Sequence, residues 1–294
     1  MQEKIEKNLF LPGVQEINKR KKISALDYCR IKKYNIREET YIIKTERKIK
    51  MLKINKLSVL LNLFICFMAG ILAGQEEVKI SFAKGKWDKS KWLEVKSPRW
   101  SYLGKMVQNE DHIINQTPDL PDEVIFKKYG NKVYSGLMYD KVFSGKKVII
   151  RSKMSFDHRM APLIVIAEEL GKSKEGIPEF REHFEIVLYD QGLNIWHHTY
   201  KDGKPSWHKA AFLKVDYQPK KIYDLVITLH KAKNIMQMTV ECDGKVFGYQ
   251  DKALPEKFYA GIIGCEGRCR FYDFRVTTFP HRKPARKPAA KSKI

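Results

Sequence analysis

Residues 183–189 read HFEIVLY, and the odd positions hold His183, Glu185 and Tyr189. In an extended chain alternate side chains share a face, about 7 Å apart. His183 and Glu185 are therefore expected to stand side by side, opposite Phe184, Ile186 and Leu188. Residues 148–154, VIIRSKM, project Arg151 and Lys153 together in the same way. A histidine that can take a proton, a carboxylate, a tyrosine and a cation that holds an acidic sugar form an acid–base set. The candidate catalytic residues are accordingly His183, Glu185, Arg151 and Tyr189. The bland alternative is strong, because a polar stripe on a half-exposed sheet is its ordinary solvated face.

A second cluster follows at Trp196-His197-His198-Thr199-Tyr200 and resumes at Trp207-His208, beyond Asp202-Gly203. Aromatic faces stack on the apolar faces of sugar rings, and histidine edges supply hydrogen bonds. Trp196, His198, Trp207 and Lys153 are the candidate carbohydrate-binding residues. The alternative is that one tryptophan belongs to the core and the other packs beside it. Adjacent His197 and His198 cannot share a strand face, so no metal site is assigned to that pair. Ca²⁺ at Asp190, with carbonyls of its turn, is the one cofactor considered.

The elements that must position these residues are strands. From residue 75 to 279 the apolar pattern repeats every two residues, as at 222–230 (IYDLVITLH), where Tyr223, Leu225, Ile227 and Leu229 alternate with other residues. Residues 161–167 form a continuous apolar run of strand length. Further strands are expected at 183–190, 193–200, 234–242, 245–250, 259–264 and 270–279. Asp202-Gly203 and Asp243-Gly244 are preferred two-residue hairpin turns. No segment after residue 75 has the pattern of a three-turn helix. About a dozen short strands predict one all-β domain, a two-sheet antiparallel jelly-roll sandwich, over residues 75–279.

Residues 51–74 carry Lys53 and Lys56, then an uncharged run from Leu57 to Gly74 that ends in small residues. That order matches a secretory signal peptide, with a membrane anchor as the alternative. Residues 1–50 form a basic extension, expected to reflect a start codon placed upstream of Met51. The domain is then expected in the periplasm, at the cell surface or secreted, touching a membrane only through an uncleaved signal. The formal net charge of +22 is concentrated at the ends: residues 1–56 hold +9 and the tail 280–294 holds +6, which leaves +7 for the part between. Without a nucleic-acid motif, that distribution argues against a nucleic-acid partner. The basic tail fits an anionic cell-surface polymer, with a solubilising end as the alternative, and the Trp196 and Trp207 cluster fits carbohydrate; these are the expected partners.

Beyond the signal region three cysteines remain: Cys242, Cys265 and Cys269. Cys265 and Cys269 flank Glu266-Gly267-Arg268 between two apolar strands. If these strands form a hairpin, the two thiols come within disulfide range, and an exported domain would permit the bond. Two free thiols are the alternative. Asn115-Gln116-Thr117 is a glycosylation sequon followed by Pro118.

The closing stretch YAGIIGCEGRCRFYDFRV resembles the last strands of concanavalin A-like jelly rolls, in which a Gly-rich strand leads into an F-x-x-F-x-V strand. Gly261, Gly264, Phe271, Phe274 and Val276 carry the match. With the spacing of Trp87, Trp92 and Trp100, the chain from about residue 78 to 279 looks most like the laminin-G-like domains grouped with secreted 3-keto-disaccharide hydrolases. That resemblance implies the fold and a carbohydrate-directed activity, as a hydrolase, a polysaccharide lyase or a non-catalytic binding module. Laminarinase-type hydrolases on this fold line the cleft with Glu-x-Asp-x-Glu on one strand. No such triplet occurs here, and Glu182 and Glu185 have opposite parity.

Overall fold

The structure is a computed structural model that describes residues 75–100, 102–159 and 161–280. The basic extension, the signal-like segment and the basic tail lie outside the described residues. Among the described residues no helix is long and apolar enough to cross a membrane.

Two antiparallel sheets pack face to face as a jelly-roll sandwich. The seven-stranded sheet has β12 (Lys204–Lys214) at one edge, then β11 (Gly192–Lys201), β10 (His183–Tyr189), β7 (Ala161–Ala167), β16 (Lys257–Cys265), β5 (Tyr134–Ser144) and β2 (Trp92–Glu94). The nine-stranded sheet is built around β6 (Lys147–Phe156). On one side of β6 lies the meander β13 (Tyr223–Ala232), β14 (Ile235–Cys242) and β15 (Lys245–Gln250). The other side of β6 is shared by two short consecutive strands, β17 (Cys269–Phe271) and β18 (Asp273–Phe279). β17 pairs on with β4 (Ile113–Asn115) and β3 (Met106–Gln108), and β18 with β1 (Glu76–Ser81). β8 (Leu170–Lys172) and β9 (Pro178–Phe180) form a separate ribbon.

Alternation decides which side chains fill the space between the sheets. Tyr223, Leu225, Ile227 and Leu229 of β13 are buried there with Met236, Met238 and Val240 of β14. Phe184, Ile186 and Leu188 of β10 meet them from the other sheet. Each fully buried aliphatic chain of this kind contributes about 1.5–3 kcal/mol. Both expected Asp-Gly turns form, with positive φ at Asp202 (51°), Gly203 (74°), Asp243 (51°) and Gly244 (72°). This is the mirror-image turn that matches the twist of a hairpin.

β7 is buried at every position, because its sheet is covered twice. Its inner face meets the main core. Its outer face lies beneath a second apolar layer that includes Val95, Tyr134, Phe180 and Val187, with Trp100 and Leu103 packed on it. The segment between β2 and β3 and the β8–β9 ribbon supply much of that cover. The helical turns at Asp122–Val124, Ile125–Tyr129 and Gly130–Lys132 are the main departure from strand and loop structure, and none is long.

The closing segment differs from the expected hairpin. β16 is already paired on both edges, with β5 and with β7, so the following strand has no free edge there. The chain instead crosses at Glu266-Gly267-Arg268 into the other sheet, where β17 pairs with β6. The expected Cys265–Cys269 disulfide is therefore corrected: both are free, buried thiols. Cys265 Sγ lies 3.6 Å from the Ala161 carbonyl, and Cys269 Sγ lies 3.6 Å from the Cys265 carbonyl. The sequon residue Asn115 is buried and holds this crossover. Its Nδ2 donates to Gly267 O (2.5 Å), and its Oδ1 accepts from Cys269 N (2.7 Å). A Cβ at Gly264 would stand 2.9 Å from Asn115 Cβ, so this close approach requires glycine.

Candidate functional site

The outer face of the seven-stranded sheet gathers most of the chemically active residues. β10 and β11 pair so that His183 opposes His198, Glu185 opposes Trp196, and Val187 opposes Asn194. All six side chains lie on the face turned away from the main core, as strand parity predicts. β11 then pairs with β12, placing His198 opposite Trp207 and Trp196 opposite Lys209. A bulge at Ala210 shifts the register between Ile195 and Trp196. It brings Lys209 and Phe212 to the same face despite their odd spacing.

The second apolar layer stops short of covering this face completely and leaves a cavity of about 330 Å³. Glu185, Tyr189, Asn194, Trp196 and Lys209 line it from the sheet. Arg99, Trp100, Arg159, Asp190 and Glu266 line it from the surrounding loops. Arg159 pairs with Asp190 at 3.6 Å. Among the described residues, Arg99 and Lys209 have no carboxylate partner within ion-pair distance. Arg99 instead stacks between two rings, 4.9 Å from Trp100 and 4.7 Å from Trp207.

Beside the cavity, Glu185 meets two buried imidazoles. His183 is 1% exposed and His198 is 4% exposed. Their rings stack on each other with centroids 4.4 Å apart, and Phe180 stacks on the outer side of His183 at 4.7 Å. Trp207 covers His198 at 6.3 Å. His183 Nε2 lies 3.5 Å from Glu185 Oε1, and His198 Nε2 lies 3.1 Å from Glu185 Oε2. Burial pushes the Glu185 carboxyl up, but His198 and His183 outweigh it and hold the group well below the usual carboxylate range. Burial also lowers His183, against the pull of Glu185. Glu266 behaves oppositely: burial raises it, only partly offset by Arg99, and the charge on Glu185 raises it further.

The candidate catalytic set is thus divided. Glu185 and Tyr189 line the cavity, and His183 lies buried beside it. Arg151 is a correction: it lies on β6 in the other sheet and forms an exposed bidentate pair with Asp224, its Nε 2.7 and 2.8 Å from the two carboxylate oxygens. Lys153 shares that sheet and is exposed. Neither joins His183, because β6 and β10 belong to opposite layers. Of the candidate sugar-binding residues, Trp196 lines the cavity, His198 is buried beneath Trp207, and Trp207 stands 42% exposed at the edge.

The Asp190 turn does not fit Ca²⁺. Its carbonyls at Asp190 and Gln191 accept from Tyr217 N and Val215 N, and Arg159 brings a positive charge to the carboxylate. Calcium needs six to eight oxygen ligands. Among the described residues, the donors grouped so that they could hold a metal are His183, His198 and Glu185, with one ligand atom from each lying within 4.8 Å of the others. Parity rightly separates His197 from His198: His197 turns to the other face, where its Nε2 meets Glu182 at 2.7 Å. The partner for His198 comes from the neighbouring strand instead.

Sequence reasoning missed Arg99, Trp100, Arg159, Lys209 and Glu266. The first three lie on loops with no periodic signal, and Lys209 reaches the face only through the bulge. Glu266 sits in the turn noticed for its flanking cysteines, and its positive φ of 64° leaves no trace in a strand pattern.

No family model matches the chain, and no curated protein matches it. Among solved structures it is similar to the carbohydrate binding module CBM66 from Bacillus subtilis, at 11% identity and a TM-score of 0.41 over 63% of this chain and 94% of that one. It is also similar to a Lotus tetragonolobus seed lectin, at 10% identity and a TM-score of 0.44 over 70% and 100% of the two chains. A third is a GlcNAcα1-4Gal-releasing endo-β-galactosidase from Clostridium perfringens, at 11% identity and a TM-score of 0.45 over 70% and 63%. At these values none of the likenesses assigns a ligand to this chain.

Proposed function

We propose that this chain is a carbohydrate-active jelly-roll protein that binds an acidic sugar in the cavity of the seven-stranded sheet and hydrolyses its glycosidic bond. The observation that carries the reading is one cavity lined by Trp196, by two cations that have no carboxylate partner among the described residues, and by two carboxyl groups whose proton affinities are shifted in opposite directions. Trp196 offers a ring face for stacking. Arg99 and Lys209 pair with the sugar's negative group. Arg99 supplies a planar fork suited to a carboxylate or sulfate, held in place between two indoles.

Two carboxyls whose environments separate their proton affinities can divide acid and base roles. Glu266, which keeps its proton more readily, gives it to the leaving oxygen. Glu185, ionised, serves the side of the reaction that needs a negative charge. Tyr189 hydrogen-bonds the sugar from the floor of the cavity. The lyase alternative loses ground because its cation, Arg151, lies in the other sheet.

The test is incubation of the purified protein with neutral, acidic and 3-keto glycans, read by mass spectrometry. Products that carry one added water, lost in Glu266→Gln, are the expected result. Products lighter by one water would replace hydrolysis with elimination. Binding of a glycan without any cleavage would make the domain a binding module, with Trp196 and Arg99 as its contacts.

A further inference from the structure

We propose that His183, His198 and Glu185 form a binding site for one zinc-type divalent transition-metal ion beside the cavity. The proposal rests on the sugar reading only for what the ion meets there; the metal site itself stands on the geometry of three side chains.

The first observation is that the site's nitrogen donors have no other occupation. His183 Nε2 and His198 Nε2 are both buried without a hydrogen-bond partner, although they lie only 3.5 and 3.1 Å from the oxygens of Glu185. Buried polar atoms of native proteins are nearly always satisfied, so two orphans converging on one carboxylate call for a shared partner. The second is the tautomer. His183 Nδ1 lies 2.8 Å from the Arg181 carbonyl, an oxygen that can only accept, so Nδ1 carries the hydrogen. In a neutral ring this leaves the Nε2 lone pair without a donor, 3.5 Å from a carboxylate oxygen, and a cation bound to both atoms relieves that arrangement. Metal-bound histidines characteristically donate their other N–H in this way, which fixes ring orientation and raises basicity.

The third is distance. Zinc bonds of about 2.0–2.1 Å in tetrahedral geometry place neighbouring donors about 3.3 Å apart. His183 Nε2 and His198 Nε2 lie 3.5 and 3.1 Å from different oxygens of Glu185, and one ligand atom from each residue lies within 4.8 Å of the others, so small side-chain shifts bring the set to that spacing. Two imidazoles and one carboxylate suit zinc, nickel, cobalt or iron(II) better than calcium or magnesium, which favour oxygen donors. Three protein ligands also leave a fourth position open, as catalytic zinc sites do. Glu185 lines the cavity, so that position adjoins the space where the sugar would lie. With an ion bound, Glu185 acts as a ligand, and the ion takes over its part in orienting the sugar or a water. Phe180 and Trp207 shield the imidazoles from solvent and hold their stack.

The experiment is calorimetric titration of chelator-treated full-length protein with zinc sulfate, with bound metal counted by mass spectrometry. One equivalent is expected, and His198→Gln should weaken binding by more than the about 100-fold that losing an outer hydrogen-bond partner costs. His197→Gln, altered on the opposite face, should bind as the wild type does. If His198→Gln does not fold, cobalt(II) added to the wild type serves instead: a low-symmetry visible spectrum displaced by zinc supports the site. Absence of a stoichiometric equivalent, or equal affinity in His198→Gln, overturns the proposal. Glycan binding by the metal-free protein separates the two readings. Sugar binding without metal uptake would sink the metal site alone, and metal uptake without any glycan ligand would sink the sugar reading alone.

Discussion

The two sheets carry similar alternating sequences, yet their outer faces have opposite characters. On β6 and β13, Arg151 and Asp224 form a bidentate pair in the open, with the arginine side chain 48% exposed. On β10 and β11, Glu185 and the two histidines are enclosed by a second apolar layer. The strand pattern is the same in both places: polar residues on the parity opposite the core. What differs is the cover. An exposed ion pair is solvated before and after folding and contributes about 0–1 kcal/mol. A carboxylate under a lid loses its water and persists only because His183 and His198 face it. A polar stripe therefore becomes a site when another part of the chain closes over it.

The sharpest way to break this comparison is to remove the charge from each face in turn. Glu185→Ala should destabilise the fold by about 3–5 kcal/mol, since it leaves the buried partners uncompensated, and should abolish glycan cleavage. Urea unfolding and the product assay measure the two effects. Arg151→Ala should cost no more than about 1 kcal/mol and leave activity intact. Equal losses in the two variants would mean that the cover makes no difference.

Trp196→Ala comes next in size. It removes the ring from the cavity and should weaken glycan binding at least about tenfold, equivalent to about 1.4 kcal/mol, with little change in urea midpoint. Trp207→Ala should weaken it less, because that ring stands at the edge and acts through Arg99. Calorimetry on both variants orders them.

Acid titration sharpens the contrast further. The folded protein holds Glu185 below its unfolded value of about 4.3, so its contribution is complete above that value and is lost as pH falls towards the folded one. His183 is also lowered, and its contribution is present above the unfolded value of about 6.5 and fades below it. Glu266, raised by burial, works the other way and favours the folded state at low pH. Stability of the wild type should therefore fall from about pH 6.5 downward, more steeply than that of Glu185→Gln. Parallel curves from urea unfolding at several pH values would show that Glu185 is no more tightly held than a surface group.

The smallest effect expected is none. With Cys265 and Cys269 free, a reductant should leave the melting temperature unchanged, whereas a broken native disulfide would cost about 2–5 kcal/mol.

Much of the fold was legible because burial imposes a period of two. Tyr223, Leu225, Ile227 and Leu229 could be assigned to one face from the sequence, and each is in the core. The Asp-Gly turns were legible because glycine accepts positive φ without strain. The fate of residues 265–269 was not, since a hairpin and a crossover between sheets need the same short turn. Only the pairing of β16 on both edges decides between them. Within the site, the shared parity of His183 and Glu185 was legible. The position of His198 opposite His183 depends on the register of β10 with β11, which alternation alone does not fix.

The sequence by itself determined many of the strands and their buried faces, two of the hairpin turns, and the fact that His183, Glu185 and Tyr189 share one side. These follow from local geometry and from the cost of exposing apolar surface, both written in residue order. The tertiary structure alone decided which polar face would be covered, that Arg151 would belong to the other layer, and that Arg99, Lys209 and Glu266 would meet Glu185 across a cavity. Those are contacts between segments far apart in the chain, and they depend on how the sheets pack, on one bulge and on loops that no local pattern constrains.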